Sequence, residues 1–467
     1  MRHAKPEQMS AGGAPTPSKR HWLTLPTLCA AVLIAQIDTS VVNLATRPIG
    51  DYFNAPVDAL QWVVDSYNLV YAALLLSGGL LADLIGRRRV FMAGAAVFTL
   101  ASLLCGLAPS IGVLIAGRAL AGLGAALLLP SSLAIVRVAW PDPAERGRAL
   151  GVWTGCNGLG LAIGPTLGGA LIHGFGWRSI FLIVVPLGLA AFVAAIRAVP
   201  ESSDPKGRDF DVLAQICGAL ALGGFAVAAI ESHRATLAAA FALAVAAVAF
   251  AFFFEIEQKR GAAALVPLNI IAIAEFRGAA TATMGMTFGM YGMMFLLPLF
   301  WLSAGTLSAT NAGLALTPSA IAYVATSPFS GRLTERLGAR FMTAGGVAII
   351  GCGLLTIAAT ASITQITGPD IGLALTGLGM GLATGPLMAV AVSAVPAARS
   401  GTAAALINVA RMSGATIGVA ILGAVFALFG GGLEGLRLAL LLGGGAQVTA
   451  AAIAWRTTPN DRKGSAR

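Results

Sequence analysis

Long apolar runs follow one another through the sequence, separated by short polar turns. Fourteen are predicted, at roughly 23–46, 59–81, 90–108, 111–136, 147–171, 178–197, 211–231, 235–254, 278–302, 312–330, 340–360, 369–395, 401–427 and 434–456. Runs of about 20 apolar residues cross a bilayer as α-helices. In lipid every backbone N–H and C=O must be satisfied internally, which leaves helices or a closed barrel. Unbroken runs of this length lack the alternation of barrel strands, so the barrel is excluded. Only 11% of the residues are charged, against about 25% in soluble domains. The fold class predicted is an all-α polytopic membrane protein.

The basic residues set the expected topology. Arg87, Arg88, Arg89, Arg137, Arg146, Arg148, Arg197, Lys206, Arg208, Lys259, Arg260, Arg277, Arg332, Arg336, Arg340 and Arg399 fall on one set of loops. The opposite loops hold Arg47, Arg178, Arg234 and Arg437. That bias places both termini in the cytoplasm. The net charge of +10 is spread over short loops and forms no basic face, so nucleic acid is not an expected partner. The five cysteines, Cys29, Cys105, Cys156, Cys217 and Cys352, lie within apolar runs without metal spacing and read as small core residues.

An internal repeat organises the chain. The turn Gly78-Gly-Leu-Leu-Ala-Asp-Leu-Ile-Gly-Arg-Arg-Arg89 returns in weaker form as Gly331-Arg-Leu-Thr-Glu335-Arg-Leu-Gly338-Ala-Arg340. Gly79, Asp83, Gly86 and Arg88 align with Gly331, Glu335, Gly338 and Arg340. Gly79 and Gly86 are expected to permit close helix ends and a tight turn. Gly160, Gly164 and Gly169 match Gly414, Gly418 and Gly423 in the same way. The division expected is a tail at 1–22, a six-helix bundle at 23–197, and a linker at 198–277 carrying two extra helices. A second six-helix bundle at 278–456 and a tail at 457–467 complete it. Parallel six-helix repeats suit a secondary transporter with its site between the halves.

Four motifs give the chain a family resemblance. They are the turn Gly79–Arg89, Leu114-Ile-Ala-Gly-Arg118-Ala-Leu-Ala-Gly122-Leu-Gly124, Gly160-Leu-Ala-Ile-Gly164-Pro165-Thr-Leu-Gly168-Gly169, and Ile37-Asp38-Thr-Ser-Val-Val-Asn43-Leu-Ala45. The chain resembles major facilitator superfamily transporters, most closely the fourteen-span drug:proton antiporters that include exporters similar to the methylenomycin A resistance protein. The resemblance covers residues 22–456 and departs from the pattern at Thr46-Arg47-Pro48. It implies the major facilitator fold with two inserted helices, and it links the span 1 acid and span 4 arginine, Asp38 and Arg118, to proton coupling.

Charges within spans are costly and demand an account. Asp38, Asp65 and Arg118 all fall roughly 9–12 Å below the outer surface at about 1.5 Å per residue. A carboxylate–guanidinium cluster of the three is expected, with a static buried ion pair, and Asp65 in an aqueous vestibule, as the alternative. The glycines Gly160, Gly164, Gly168 and Gly169 with Pro165 read as close packing and also as a bendable hinge. Asp83 with Arg87, Arg88 and Arg89, echoed by Glu335 and Arg340, reads as a loop anchor or an inside latch. Span 9 is rich in soft side chains, among them Met286, Met290, Tyr291 and Met294. Composition alone leaves a lipid-facing or core helix as the alternative, but the resemblance implies that span 9 opens the second half and faces the central cavity, so with Asn43, Asn408 and Arg411 these are the candidate cavity residues.

No phosphate-binding loop is present, so direct use of ATP is not expected. The expectation is a non-enzymatic proton-coupled antiporter in the inner membrane, functional as a monomer, without metal or cofactor. It would exchange protons for small amphipathic drugs, antibiotics or toxic metabolites. An importer of the same fold, a membrane enzyme and a non-transporting receptor or scaffold are the alternatives.

Overall fold

Apolar runs that must bond their own backbone become helices, and the computed structural model is built of helices among its described residues. These residues are 21–203, 211–231, 236–261, 264, 266, 268–362, 367–396 and 399–459. Tail residues 1–20 and 460–467, linker residues 204–210 and Arg234 lie outside them.

The first half comprises α1 (His21–Phe53), α2 (Val57–Ile85), α3 (Arg87–Gly106), α4 (Ile111–Ala139), α5 (Pro143–Phe175), α6 (Ser179–Leu182) and α7 (Val184–Ala198). The insertion gives α8 (Val212–Glu231), α9 (Thr236–Arg260) and the short α10 (Leu268–Ile271). The second half comprises α11 (Ala274–Ser303), α12 (Ala309–Ala315), α13 (Thr317–Thr326), α14 (Ser330–Leu337), α15 (Ala339–Thr360), α16 (Thr367–Ser393), α17 (Ser400–Leu428) and α18 (Leu433–Thr457). Twelve helices among the described residues are long and apolar enough to cross a membrane. The sequence count was fourteen; α5 and the run α12–α14 are the two outside the twelve. That run is interrupted before Pro318 and around Pro328, because proline lacks an amide and disfavours helical geometry in the residue before it.

The repeat is built in three dimensions. Gly86 and Gly338 both hold positive φ, 122° and 90°, a region that glycine enters without Cβ strain. Each donates its N–H four residues back, to Ala82 at 3.2 Å and Thr334 at 2.9 Å. Glycine contacts fix the register elsewhere. Gly117, Gly122 and Gly124 of α4 face Ala101, Tyr67 and Phe98. Gly372, Gly377 and Gly379 of α16, each 255 residues later, face Gly353, Ser319 and Ile350, each 252 residues later. In α5, Gly160 and Gly164 meet Gln36 and Ser40 of α1, while Gly414 and Gly418 of α17 meet Met284 and Phe288 of α11.

The inserted helices lie at one seam. α8 packs against α9 and against both α2 and α17. Gln215 of α8 is buried and bonds the Ser77 hydroxyl and the Ala73 carbonyl of α2. α9 presents Leu237, Phe241, Phe250 and Phe252 outward, as a lipid-facing helix would. Cys29 and Cys105 are core residues as expected, but Cys352 is exposed on α15. A small thiol suits an apolar lipid face as well as a core.

Candidate functional site

Close approach of α4 to α2 starts the site. Gly122 sits against the Tyr67 backbone, where a Cβ would overlap the carbonyl. That proximity carries Arg118 between α1 and α2, where it is the largest fully buried side chain. Its Nη1 donates to Asp38 Oδ2 at 2.6 Å, with side-chain exposures of 2% and 1%. Its Nε donates to the Val63 carbonyl at 3.1 Å. The guanidinium lies 4.5 Å from the Tyr67 ring centroid and 5.9 Å from that of Phe181, within cation–π range. The expected juxtaposition of Asp38 and Arg118 is present.

Asp65 is not part of it. It is fully buried, which removes the vestibule placement, and neither carboxylate oxygen has a hydrogen-bond partner among the described residues. Asn68, nearly one turn on, is equally unpartnered. A helical turn separates faces, and Arg118 reaches the backbone at Val63 instead of the acid two residues later.

The turn at Gly86 is more elaborate than its sequence suggests. Arg87 donates to Asp83 Oδ1 through Nε at 3.0 Å and Nη2 at 2.8 Å. The backbone amides of Arg88 and Arg89 donate to Glu201 Oε1 and Oε2 at 3.1 and 3.2 Å. Glu201 therefore caps the N-terminus of α3, where a negative charge is favoured by the helix dipole. Sequence reasoning missed it; the acid following Pro200, just past span 6, was the available signal. Arg88 also donates to the Val199 carbonyl at 3.4 Å, and Arg340 donates to the Thr458 carbonyl at 2.8 Å. Each holds the end of the last span in its own half. Glu335 is exposed. None of these bonds crosses to the other half, so among the described residues the turns are not seen to bridge the halves. Gly79 makes only ordinary contact, at 3.5 Å from Pro130 for an added Cβ; the close approach belongs to Gly78, which abuts the Ala126 carbonyl.

The halves meet instead at the opposite end. Gly169 lies against Ala309 and Thr310, whose Oγ1 donates to the Gly169 carbonyl at 3.1 Å. Gly313 abuts the Pro165 carbonyl. Gln61 Nε2 donates to the carbonyls of Val419 and Ala420 at 3.1 and 3.2 Å. Arg47 Nη1 reaches Ser303 Oγ at 3.5 Å. Gly160, Gly164 and Gly168 pack on α1 at Gln36, Ser40 and Val41.

Beneath that seam is a cavity with about 540 Å³ free of atoms, part of it open to solvent. Its walls include Pro165, Met290, Tyr291, Met294, Tyr323 and Met380. Pro165 comes from the first half and the others from the second. Four candidate residues lie off this wall. Met286 is buried in the core, its carbonyl accepting from Gln447 at 2.9 Å. Asn43 is buried and donates to the Thr39 carbonyl at 3.5 Å. Asn408 is bound to Arg411. Tyr323 and Met380 were not foreseen, because they come from spans without a soft-residue run. Arg411 is half-buried on α17; its backbone carbonyl accepts from Thr287 Oγ1 at 2.8 Å.

The model of the Major Facilitator Superfamily matches residues 28–419. The multidrug resistance protein Stp of Mycobacterium tuberculosis is 36% identical over 407 residues, covering 87% of this chain and 76% of that protein. The methylenomycin A resistance protein of Bacillus subtilis is 32% identical over 440 residues, 92% of each chain. The POT family transporter PepTSo superposes with a TM-score of 0.69 at 15% identity, over 92% of this chain and 96% of that one. That last likeness is one of fold.

Proposed function

The chain belongs to the major facilitator superfamily, and from that premise we propose that it is a multi-pass, proton-coupled antiporter exporting small amphipathic drugs, antibiotics or toxic metabolites. The names of Stp and the methylenomycin A resistance protein support the efflux direction. The observation that carries proton coupling is the desolvated Asp38–Arg118 ion pair, buried within the first half.

The chain crosses the cytoplasmic membrane fourteen times in this reading, with α5 and the α12–α14 run as spans and both termini cytoplasmic. The Gly86 and Gly338 turns then face the cytoplasm. The contacts between halves lie at the outer end, so this state opens inward and loads cargo. Asp38, paired with Arg118, has given up its proton. Outward opening lets a proton reach Asp38, weakens the pair, and favours return. Asp65 is a second proton carrier, since an unpaired buried charge is costly. Asp83 with Arg87, Arg88, Arg89, Glu335 and Arg340 closes the inner side in the opposite state. Gly160, Gly164, Pro165, Gly168 and Gly169 form the surface on which α1 and α12 shift. The monomer suffices, and the energy source is the proton motive force without a cofactor. One proton moving through about 100 mV and one pH unit supplies about 3.7 kcal/mol, enough for a gradient of several hundred-fold.

Expression in a pump-deficient host, screened against toxic compounds with and without a protonophore, tests this. Resistance should appear for amphipathic compounds and vanish with the protonophore. Asp38→Asn should abolish substrate-driven proton release while the protein remains folded in the membrane. Resistance that survives the protonophore, or coupled transport by Asp38→Asn, overturns the reading.

A further inference from the structure

Arg411 is a cation without a counter-charge in the middle of the molecule. It lies 11 residues into the 29-residue α17. Among the described residues its side chain has one hydrogen bond, to Asn408 Oδ1, and no carboxylate lies within ion-pair distance. A guanidinium offers five N–H donors in a planar fork, so most of this one is uncommitted. Arg118 shows the contrast: its charge is answered by Asp38 and its Nε by a carbonyl.

The neighbourhood of Arg411 is a binding environment. Its backbone carbonyl accepts from Thr287 Oγ1 of α11 at 2.8 Å, which seats Arg411 beside α11 about one turn before Met290 and Tyr291. Tyr291 and Tyr323 are walls of the cavity, alongside Met290, Met294 and Met380. Arg411 thus sits on a helix bonded to the one that walls an apolar, sulfur- and aromatic-lined space. A charge at this depth is costly unless water or a partner answers it, and Arg is the side chain best shaped to take a carboxylate in two parallel bonds.

We propose that the cargo is an amphipathic acid: a carboxylate or comparable anionic group bound by Arg411, joined to an apolar ring system lodged among the methionines and tyrosines. This rests on the exporter reading and narrows it, and it runs against a cation-selective pump. A membrane potential negative inside would drive such an anion outward while it drives the proton inward. Both movements carry charge in the same sense.

The test uses the full chain in lipid nanodiscs and proteoliposomes with three probes sharing one ring system. These are pyrene-1-carboxylate, pyrene-1-carboxamide and pyrenemethylammonium. Expected in the unaltered protein is binding of the carboxylate at least tenfold tighter than the carboxamide, with the ammonium weakest. Arg411→Gln should erase the carboxylate preference and leave carboxamide affinity within about twofold; Arg411→Lys should recover part of it. Equal binding of the three, preference for the ammonium, or binding of none overturns the proposal. So does an Arg411→Gln variant that weakens carboxylate and carboxamide alike, which marks a structural arginine. The two readings separate in the flux assay. Proton-driven export of the carboxamide without carboxylate preference sinks the acid and spares the exporter. Carboxylate-selective binding without proton-driven flux does the reverse.

Discussion

The two halves share one scaffold and differ in what they bury. Glycine contacts at constant offsets superimpose α4 on α16 and α1 on α11. The register that takes Gly117 to Gly372 takes Arg118 to Leu373, and the one that takes Gln36 and Ser40 to Met284 and Phe288 takes Asp38 to Met286. Tyr67, under the guanidinium, corresponds to Ser319 on the cavity wall. Where the first half buries an ion pair, the second buries Met286 and Leu373, both core residues. Backbone packing is therefore sufficient for the bundle, and the ion pair is an addition to it. A buried pair is weak grounds for stability, since well-packed apolar residues of similar volume often serve as well.

The sharpest way to break this comparison is to write the second half's residues into the first. Arg118→Leu alone leaves Asp38 uncompensated and should destabilise by about 3–5 kcal/mol. Asp38→Met with Arg118→Leu should recover most of that in thermal unfolding while proton-coupled flux stays absent. If the double variant is as unstable as the single one, the pair is part of the scaffold. If it transports, the pair is not the coupling element.

Glycine positions give the next largest effect. An added Cβ at Gly418 overlaps the Phe288 backbone carbonyl, which cannot move without its helix. At Gly164 the overlap is with Ser40 Oγ, a rotatable side chain. Gly418→Ala should therefore be the more damaging, by about 1–3 kcal/mol as for other overpacked cores, and Gly164→Ala should be recovered by Ser40→Ala. Thermal stability in detergent checks the order; the reverse order would show that the matched glycines are not under matched constraint.

The smallest effect concerns the helix caps. Glu201 accepts two amides at the start of α3, while the matching turn at Gly338 is tied through Arg340 to a carbonyl. Glu201→Ala should cost about 1 kcal/mol, the usual worth of a cap, and Glu201→Gln less. Hydrogen exchange confined to the first turn of α3 is the readout.

Parts of this were legible in the sequence for definite reasons. Gly86 and Gly338 were found because a turn with positive φ needs glycine. Asp38 and Arg118 were found because charge in an apolar run stands out. Glu201 was missed because an acid in a polar linker does not stand out. Asp65 was grouped with Arg118 by depth, but depth along a helix does not give the face. Gly78 and Gly79 are adjacent glycines, and only the neighbouring Ala126 decides which one is approached. Two of the fourteen expected spans, α5 and the proline-interrupted run α12–α14, lie outside the twelve qualifying helices among the described residues. The insertion has no copy in the other half, so no repeat could position it.

That position has a consequence for how the molecule can be watched. Gln215 fastens α8 to α2 by two hydrogen bonds, and α8 also packs against α17. Sliding between the halves then falls on the α8–α17 face, and α8 travels as a passenger of the first half. A spectroscopic label on α8, facing a second on α17, would read the stroke as a change of separation without touching cavity, carboxylate or hinge.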